Sequence, residues 1–393
     1  MCKRYFIIVL MIANTMVINA QDINSFLNQV SENNPEILAY KKLLEARRIE
    51  ARTGLAPSDP FVSVGYMPGN NQAIGIKKIW SVNQSFSFPT KYLIQKRVNR
   101  NTIILAEQEF NLGKLMTLLD AKLLLIDLIY NEKTLTVLAQ RKIDYDNLEE
   151  AWEKMVSYGE ATILEHNKIK MELSSLNLLI TKTKADISIL KNRLLFMSGN
   201  NSFLPVAMNY PLTREPDPDK LMSDKTLNHP AFLIPQKEYL LSFEEINLSK
   251  TGNLPEFQVG YGSEIIPGET YSGPVVGFSI PLWSNSNRVK SAAAMADHKA
   301  AMRDAELLRL KSEVINEYSN MKALKKSMIE ISDILKSGDN KKYLDIALTN
   351  GEMSLTTYFS DLGVMYQIED KFYELEYECN KSLAMLNDTQ LLN

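Results

Sequence analysis

The sequence predicts a mainly α protein with a small β part, built as two copies of one unit: two strands followed by a long helical hairpin. Three observations predict it. First, Gln-Ser-Phe-Ser-Phe-Pro at Gln84 to Pro89 returns as Gly-Phe-Ser-Ile-Pro at Gly277 to Pro281, with Pro89 and Pro281 192 residues apart. Second, Tyr158-Gly159-Glu160 is echoed by Asn350-Gly351-Glu352 at the same offset, while Asn34-Pro35 and Val64-Gly65-Tyr66 return as His229-Pro230 and Val259-Gly260-Tyr261 at 195. Four landmarks in one order indicate duplication. Third, Pro89 to Gly159 contains no internal proline, so one helix on the order of 100 Å is expected there.

The elements follow in order. Lys3 and Arg4 precede an apolar run from Tyr5 to about Ile18, with Asn19-Ala20 before Gln21-Asp22, which reads as a secretory signal over 1–20. A membrane anchor is the alternative, although the run is shorter than the roughly 20 residues a spanning helix needs. A helix is expected over Asp22 to Ser31, and a second from Pro35 to about Thr53, capped by Asn34 and stopped at Gly54. Strands follow near Phe61 to Tyr66 and Ile79 to Phe88.

In the second strand Trp80, Val82, Phe86 and Phe88 share one face with Gln84, and Ser81, Asn83, Ser85 and Ser87 share the other with Ile79. Such alternation suits a transmembrane β-barrel with lipid outside and water inside. A half-buried soluble sheet gives the same pattern. The long helix after Pro89 carries two apolar seams, Leu112, Leu115, Leu119, Ile126, Ile129 and Leu118, Ala121, Leu125, Leu128, with Lys122 interrupting the first. Two seams require two neighbouring helices. The chain turns at Gly159 and returns to about Met197 on a heptad seam through Leu176, Ile180, Ile187 and Leu194.

The units are therefore 21–198 and 229–393, joined by a linker over 199–228 rich in Pro and Asp. In the second unit a helix starts at Pro230, strands lie near Phe257 to Tyr261 and Pro274 to Ile280, and a long helix follows Pro281. That helix breaks at Ser337-Gly338-Asp339, turns at Gly351 and returns to about Leu386.

Composition excludes several function classes. The chain has 45% hydrophobic and 23% charged residues, as a folded protein does. The formal net charge of −3 becomes −5 without Lys3 and Arg4, which argues against a nucleic-acid partner. Loss of the signal would remove Cys2 and leave Cys379 alone, so no intrachain disulfide framework is expected. His166, His229 and His298 have no metal-spaced companion, and the 17 methionines are scattered along helices as packing residues. No Gly-x-Ser-x-Gly elbow, Walker loop or dinucleotide fingerprint occurs, so no catalytic residue, metal or cofactor is expected and the protein is read as not an enzyme.

The duplicated order, the Phe-Ser-Phe-Pro and Phe-Ser-Ile-Pro junctions and the paired glycine turns together resemble the TolC-type outer-membrane efflux proteins, with the metal and drug efflux branch looking closest. The resemblance covers about Asn24 to Leu386. It implies a homotrimer in which three chains form one transmembrane β-barrel of 12 strands, continued by a periplasmic α-helical barrel. A single set of four strands cannot close in lipid without unsatisfied edges. The resemblance implies an outer-membrane channel that passively conducts cargo from an inner-membrane pump and a periplasmic adaptor. It places Gly159, Glu160, Gly351 and Glu352 at the periplasmic tip, where the adaptor binds; a glycine C-cap is the structural alternative. Glu165 matches a position that lines the aperture in the family, whereas the second copy has Thr357 and Ser360 there, with Asp361 one residue further on. Trp80 and Trp283 flank the strand–helix junctions as membrane-interface aromatics. The competing reading is a soluble periplasmic coiled-coil scaffold or adaptor. The cargo is not encoded legibly.

Overall fold

The computed structural model describes residues 23–70, 74–199, 209–210, 215–283, 285–336, 338 and 340–392. The segment 1–20 read as a signal, with Cys2, lies outside the described residues. The chain runs α1 (23–33), α2 (Pro35–Glu50), β1 (Phe61–Pro68), β2 (Ile76–Phe86), α3 (Pro89–Tyr158) and α4 (Ile163–Met197). It continues with α5 (Pro218–Asn228), α6 (Pro230–Thr251), β3 (Glu256–Ile266), β4 (Glu269–Ser279), α7 (Arg288–Lys336), α8 (Asn340–Thr349), α9 (Leu355–Leu386) and a closing 3-10 turn, Asp388–Leu392.

Local chemistry sets most of these boundaries. Asn34 Oδ1 accepts from Glu36 N (2.8 Å) and Ile37 N (3.2 Å), capping α2 just before Pro35. His229 caps α6 in the same way, its Nδ1 accepting from Ala231 N at 3.1 Å before Pro230. The duplicated Asn-Pro and His-Pro pairs are thus two helix starts. The α3 helix begins at Pro89 and runs unbroken for 70 residues. The β3–β4 hairpin turns on Pro267 and Gly268, whose φ of 88° needs glycine, and this tight turn extends both strands beyond the expected ranges.

Three expectations need correction. The stretch 199–228 is not all linker: Asp217 Oδ1 accepts from Asp219 N and Lys220 N at 3.1 Å, Pro218 starts α5, and Leu221 is buried with Met321, Cys379 and Leu386. Pro281 does not start a helix, because 281–283 and 285–287 are not helical and α7 begins at Arg288. Asn287 adopts φ 63°, and Asn285 donates to Ser249 O (2.9 Å) and Asn253 Oδ1 (2.7 Å), which holds that stretch onto the end of α6. Trp80 lies inside β2, six residues before its end, and so does not flank a junction. The break near Gly338 falls between α7 and α8 as expected, although Ser337 and Asp339 lie outside the described residues.

Two compact units divide the chain, and both draw on the two sequence repeats. Among the described residues, one lies within 40–112 and 226–310 and holds the sheet; the other lies within 23–39, 113–225 and 311–392 and is mainly helical. In the helical unit α3 buries both seams, with Leu115, Leu118, Ala121, Leu125, Ile126, Leu128 and Ile129 in the core. One neighbour is α4, through Leu138, Leu176 and Ile180. The other is α9, through a stacked Tyr130–Tyr377 pair and the Lys133–Glu376 ion pair at 2.8 Å. Helix α9 in turn packs on α7, through Met321 and Cys379. The lateral order is therefore α4, α3, α9, α7.

Candidate functional site

The sheet is a four-stranded antiparallel array in the order β1-β2-β3-β4, each strand beside its sequence neighbour. Its registers carry the two faces across all four strands. Val62 pairs with Val82, Val82 with Tyr261, and Tyr261 with Pro274; Phe86 pairs with Phe257 and Phe257 with Phe278. The opposite face aligns Ser63, Ser81, Gly262 and Gly273, with Ser63 Oγ and Ser81 Oγ 2.8 Å apart. Asn83 Nδ2 donates to Ser81 Oγ at 2.9 Å, and Asn83 lies over Gly260, where an added Cβ would come within 2.2 Å of its Oδ1.

Exposure runs opposite to that of a soluble half-buried sheet. The apolar face is open, with Val64 81% and Val276 75% exposed, whereas the Ser63, Ser81 and Gln258 side is half-buried. A soluble sheet buries its apolar face because each buried valine gains about 1.5–3 kcal/mol. Gln84, a polar residue on the apolar side, uses its amide to donate to Ser58 O and to Ser85 O. Strands β1 and β4 each leave one edge unpaired. Trp80 contacts Tyr261 on the apolar face at 5.9 Å between ring centroids, whereas Trp283 lies beyond the end of β4 and is exposed.

In the helical unit the two tips are built alike. Gly159 (φ 77°) and Gly351 (φ 73°) close α3 and α8 in the same hydrogen-bonded turn. Glu160 N donates to Met155 O and Glu352 N to Ala347 O, both at 2.9 Å, while Gly159 N reaches Val156 O and Gly351 N reaches Leu348 O, both at 3.1 Å. No neighbour lies within 4 Å of a Cβ added at either glycine, so backbone conformation alone calls for glycine there.

The next helix starts at Thr162 or Ser354. Thr162 Oγ1 accepts from Glu165 N, and Glu165 Oε2 accepts from Thr162 N at 2.9 Å, a reciprocal capping box. The Thr162 backbone N–H, and then its hydroxyl, hold the Glu165 carboxyl below the usual range. At the second tip Thr357 takes that position, donating through its backbone N to Ser354 Oγ at 3.2 Å. The sequence departure from Glu165 to Thr357 is thus a change of cap chemistry. Asp361 is exposed on α9.

The tips differ in what they cover. Leu355, Tyr358, Phe359 and Leu362 of the second are buried with Ile169, and Phe359 stacks on Tyr145 at 5.7 Å. Burial pushes the Tyr145 hydroxyl up to about 12. The first tip instead exposes Tyr158, Ile163 and Leu164. Sequence reasoning missed Arg141 of α3, only 8% exposed, which donates to Asp370 at 2.7 and 3.1 Å and Glu369 at 2.7 Å and lies over the Tyr366 ring. Its partners are more than 220 positions away, and no local pattern marks it. His166 is buried against Glu149 at 3.0 Å. Among the described residues no group of three His, Cys, Asp or Glu could hold a metal, and no helix is long and apolar enough to cross a membrane.

The outer flanks of the helical unit stay apolar and uncovered. Leu164, Met171 and Leu178 lie exposed at heptad spacing on α4, and Ile315 and Ile329 lie exposed on α7.

No family model and no curated protein matches the sequence. Solved structures do. CusC aligns with a TM-score of 0.80 at 11% identity, over 94% of this chain and 92% of its own. VceC of Vibrio cholerae aligns at 0.74 and 11% identity, over 93% and 95%. MtrE of Neisseria gonorrhoeae, an outer-membrane channel solved in an open state, aligns at 0.72 and 11% identity, over 94% and 89%. This chain has the TolC-type channel fold. Within that TolC-type fold the open sheet and the paired tips are the features that bear on function.

Proposed function

We propose that the protein is the outer-membrane conduit of a tripartite efflux or secretion system, conducting cargo passively from an inner-membrane pump and a periplasmic adaptor across the outer membrane. The observation that carries this reading is the exposed, mostly apolar face of a sheet whose polar side is half-buried and whose two edges are open. Lipid satisfies such a face, and only closure satisfies the edges.

Further copies of the same chain supply that closure. Four strands per chain keep the alternation antiparallel when β4 of one copy meets β1 of the next. Three copies would give the barrel 12 strands. The exposed seams of α4 and α7 close the helical wall by the same operation, each covering the other across a copy boundary. Trp80 lies on the lipid side of the barrel, and Trp283 serves as an interface aromatic at its periplasmic end.

The tips supply the gate. Gly159, Glu160, Gly351 and Glu352 form the adaptor contact, and Glu165 and Asp361 line the aperture that opens when the hairpins separate. The protein needs no cofactor and makes no bond; the pump supplies the energy. Extraction from membranes tests the reading. The protein should require detergent and run on a gel as a heat-sensitive trimer, and release by salt or alkali as a monomer would refute it.

A further inference from the structure

Among the described residues, the lipid-side face of the sheet carries a single charged side chain, Lys78 of β2. It is exposed and forms no ion pair there. Its cross-strand row holds Tyr66, Ile265 and Thr270, and Trp80 lies one row inward on the same face. Lys77, the next residue, points to the polar side and pairs with Glu264 at 2.8 Å, so the two lysines are chemically distinct.

The position of Lys78 sets the depth of the sheet. From Lys78 to Phe86 the strand advances eight residues, about 26 Å at ~3.3 Å per residue, or roughly 20 Å of height at the usual barrel tilt. That is close to the roughly 25 Å apolar band of an outer-membrane barrel. A lysine at the bilayer midplane is strongly disfavoured, whereas at the interface it is tolerated and its ammonium reaches the headgroups.

We infer that Lys78 binds the phosphate of anionic lipid headgroups in the leaflet at the end of the barrel distant from the helices, with Tyr66 beside it in the same row and Trp80 seated on the acyl side below it. The recognising chemistry is a mobile cation, unpaired within the sheet, on an otherwise uncharged lipid-facing surface. This rests on the membrane reading given above.

The test is the stability of the protein refolded into vesicles of phosphatidylcholine alone or of phosphatidylcholine with phosphatidylglycerol. The wild type should be favoured in the anionic vesicles by about fivefold per copy in its unfolding equilibrium, the effect of one cation near such a surface. Lys78→Gln should lose that preference, Lys78→Arg should keep it, and Lys77→Gln should leave it unchanged. A preference that survives in Lys78→Gln overturns the assignment. So does inorganic phosphate reproducing the shift in neutral vesicles, which would indicate a free-anion site. If the wild type enters neither vesicle, the conduit reading falls with it; if it enters both with equal stability, only the headgroup contact falls.

Discussion

Val62→Arg separates a membrane sheet from a soluble one more sharply than any other single substitution. Val62 lies in the middle row of the apolar face, paired with Val82 and, through it, with Tyr261 and Pro274, and it is exposed in the single chain. In water an arginine there would change stability by no more than about 0.5 kcal/mol, since exposed positions away from special features are nearly neutral. At the midplane of a bilayer the same change costs about 2–4 kcal/mol, or roughly 30- to 1,000-fold in the folding equilibrium. Ser63→Lys is the control: one residue away on the water side, it loses only the Ser63–Ser81 hydroxyl contact, about 1 kcal/mol. The assay is urea unfolding from lipid vesicles, followed by tryptophan fluorescence. A Val62→Arg variant within about 0.5 kcal/mol of wild type, or a Ser63→Lys variant that is worse than Val62→Arg, would refute the assignment of faces.

Other substitutions test the helical unit. Lys225 is buried against Asp388 and also donates to Met385 O at 3.1 Å, so Asp388→Asn should cost about 3–5 kcal/mol by leaving an uncompensated cation, measured by thermal unfolding; a loss under 1 kcal/mol would contradict burial of the pair. Gly159→Ala and Gly351→Ala should each cost about 1–2 kcal/mol, from the left-handed backbone alone and without steric clash, and equal effects at the two tips would confirm their equivalence. Glu165→Gln should destabilise the first tip only above the ordinary carboxylate range. The folded carboxyl is held low by the Thr162 N–H and hydroxyl, so its contribution is present above about pH 4.5 and is lost as pH falls through the folded value. Hydrogen exchange of α4 in the two proteins should differ at neutral pH and converge in acid.

Much of this architecture is written in local signals. Pro35, Pro89 and Pro230 start helices because a proline loses nothing at that position, and Gly159 and Gly351 end them because few other residues adopt the required backbone. Strand parity assigned the two faces correctly at Trp80, Val82 and Phe86. Parity alone left open which face is uncovered, since that depends on whether other elements pack over it. The helix α5 was hidden by the prolines around it, although Asp217-Pro218 is the same cap-and-proline signal that marks α2. At Pro281 that signal misled, because Asn285 and Asn287 hold a loop. Trp80 and Trp283 are not separated by the repeat offset, a clue that they are not equivalent. Thr162-x-x-Glu165 was readable as a capping box, whereas Arg141 owes its place to partners on α9 that no short stretch of sequence reveals.

The central claim, that the Ser81 side of the sheet faces a water-filled lumen and the Val82 side faces lipid, is tested most directly by thiol labelling along β2. Single cysteines replace Ser81, Val82, Ser85 and Phe86 in the membrane-inserted protein, against a native Cys379 that is buried. A membrane-impermeant aqueous reagent should modify Ser81→Cys and Ser85→Cys and spare Val82→Cys and Phe86→Cys. Labelling of Val82→Cys and Phe86→Cys at least as fast as the serine positions would show an apolar face open to water, and the conduit account would be wrong.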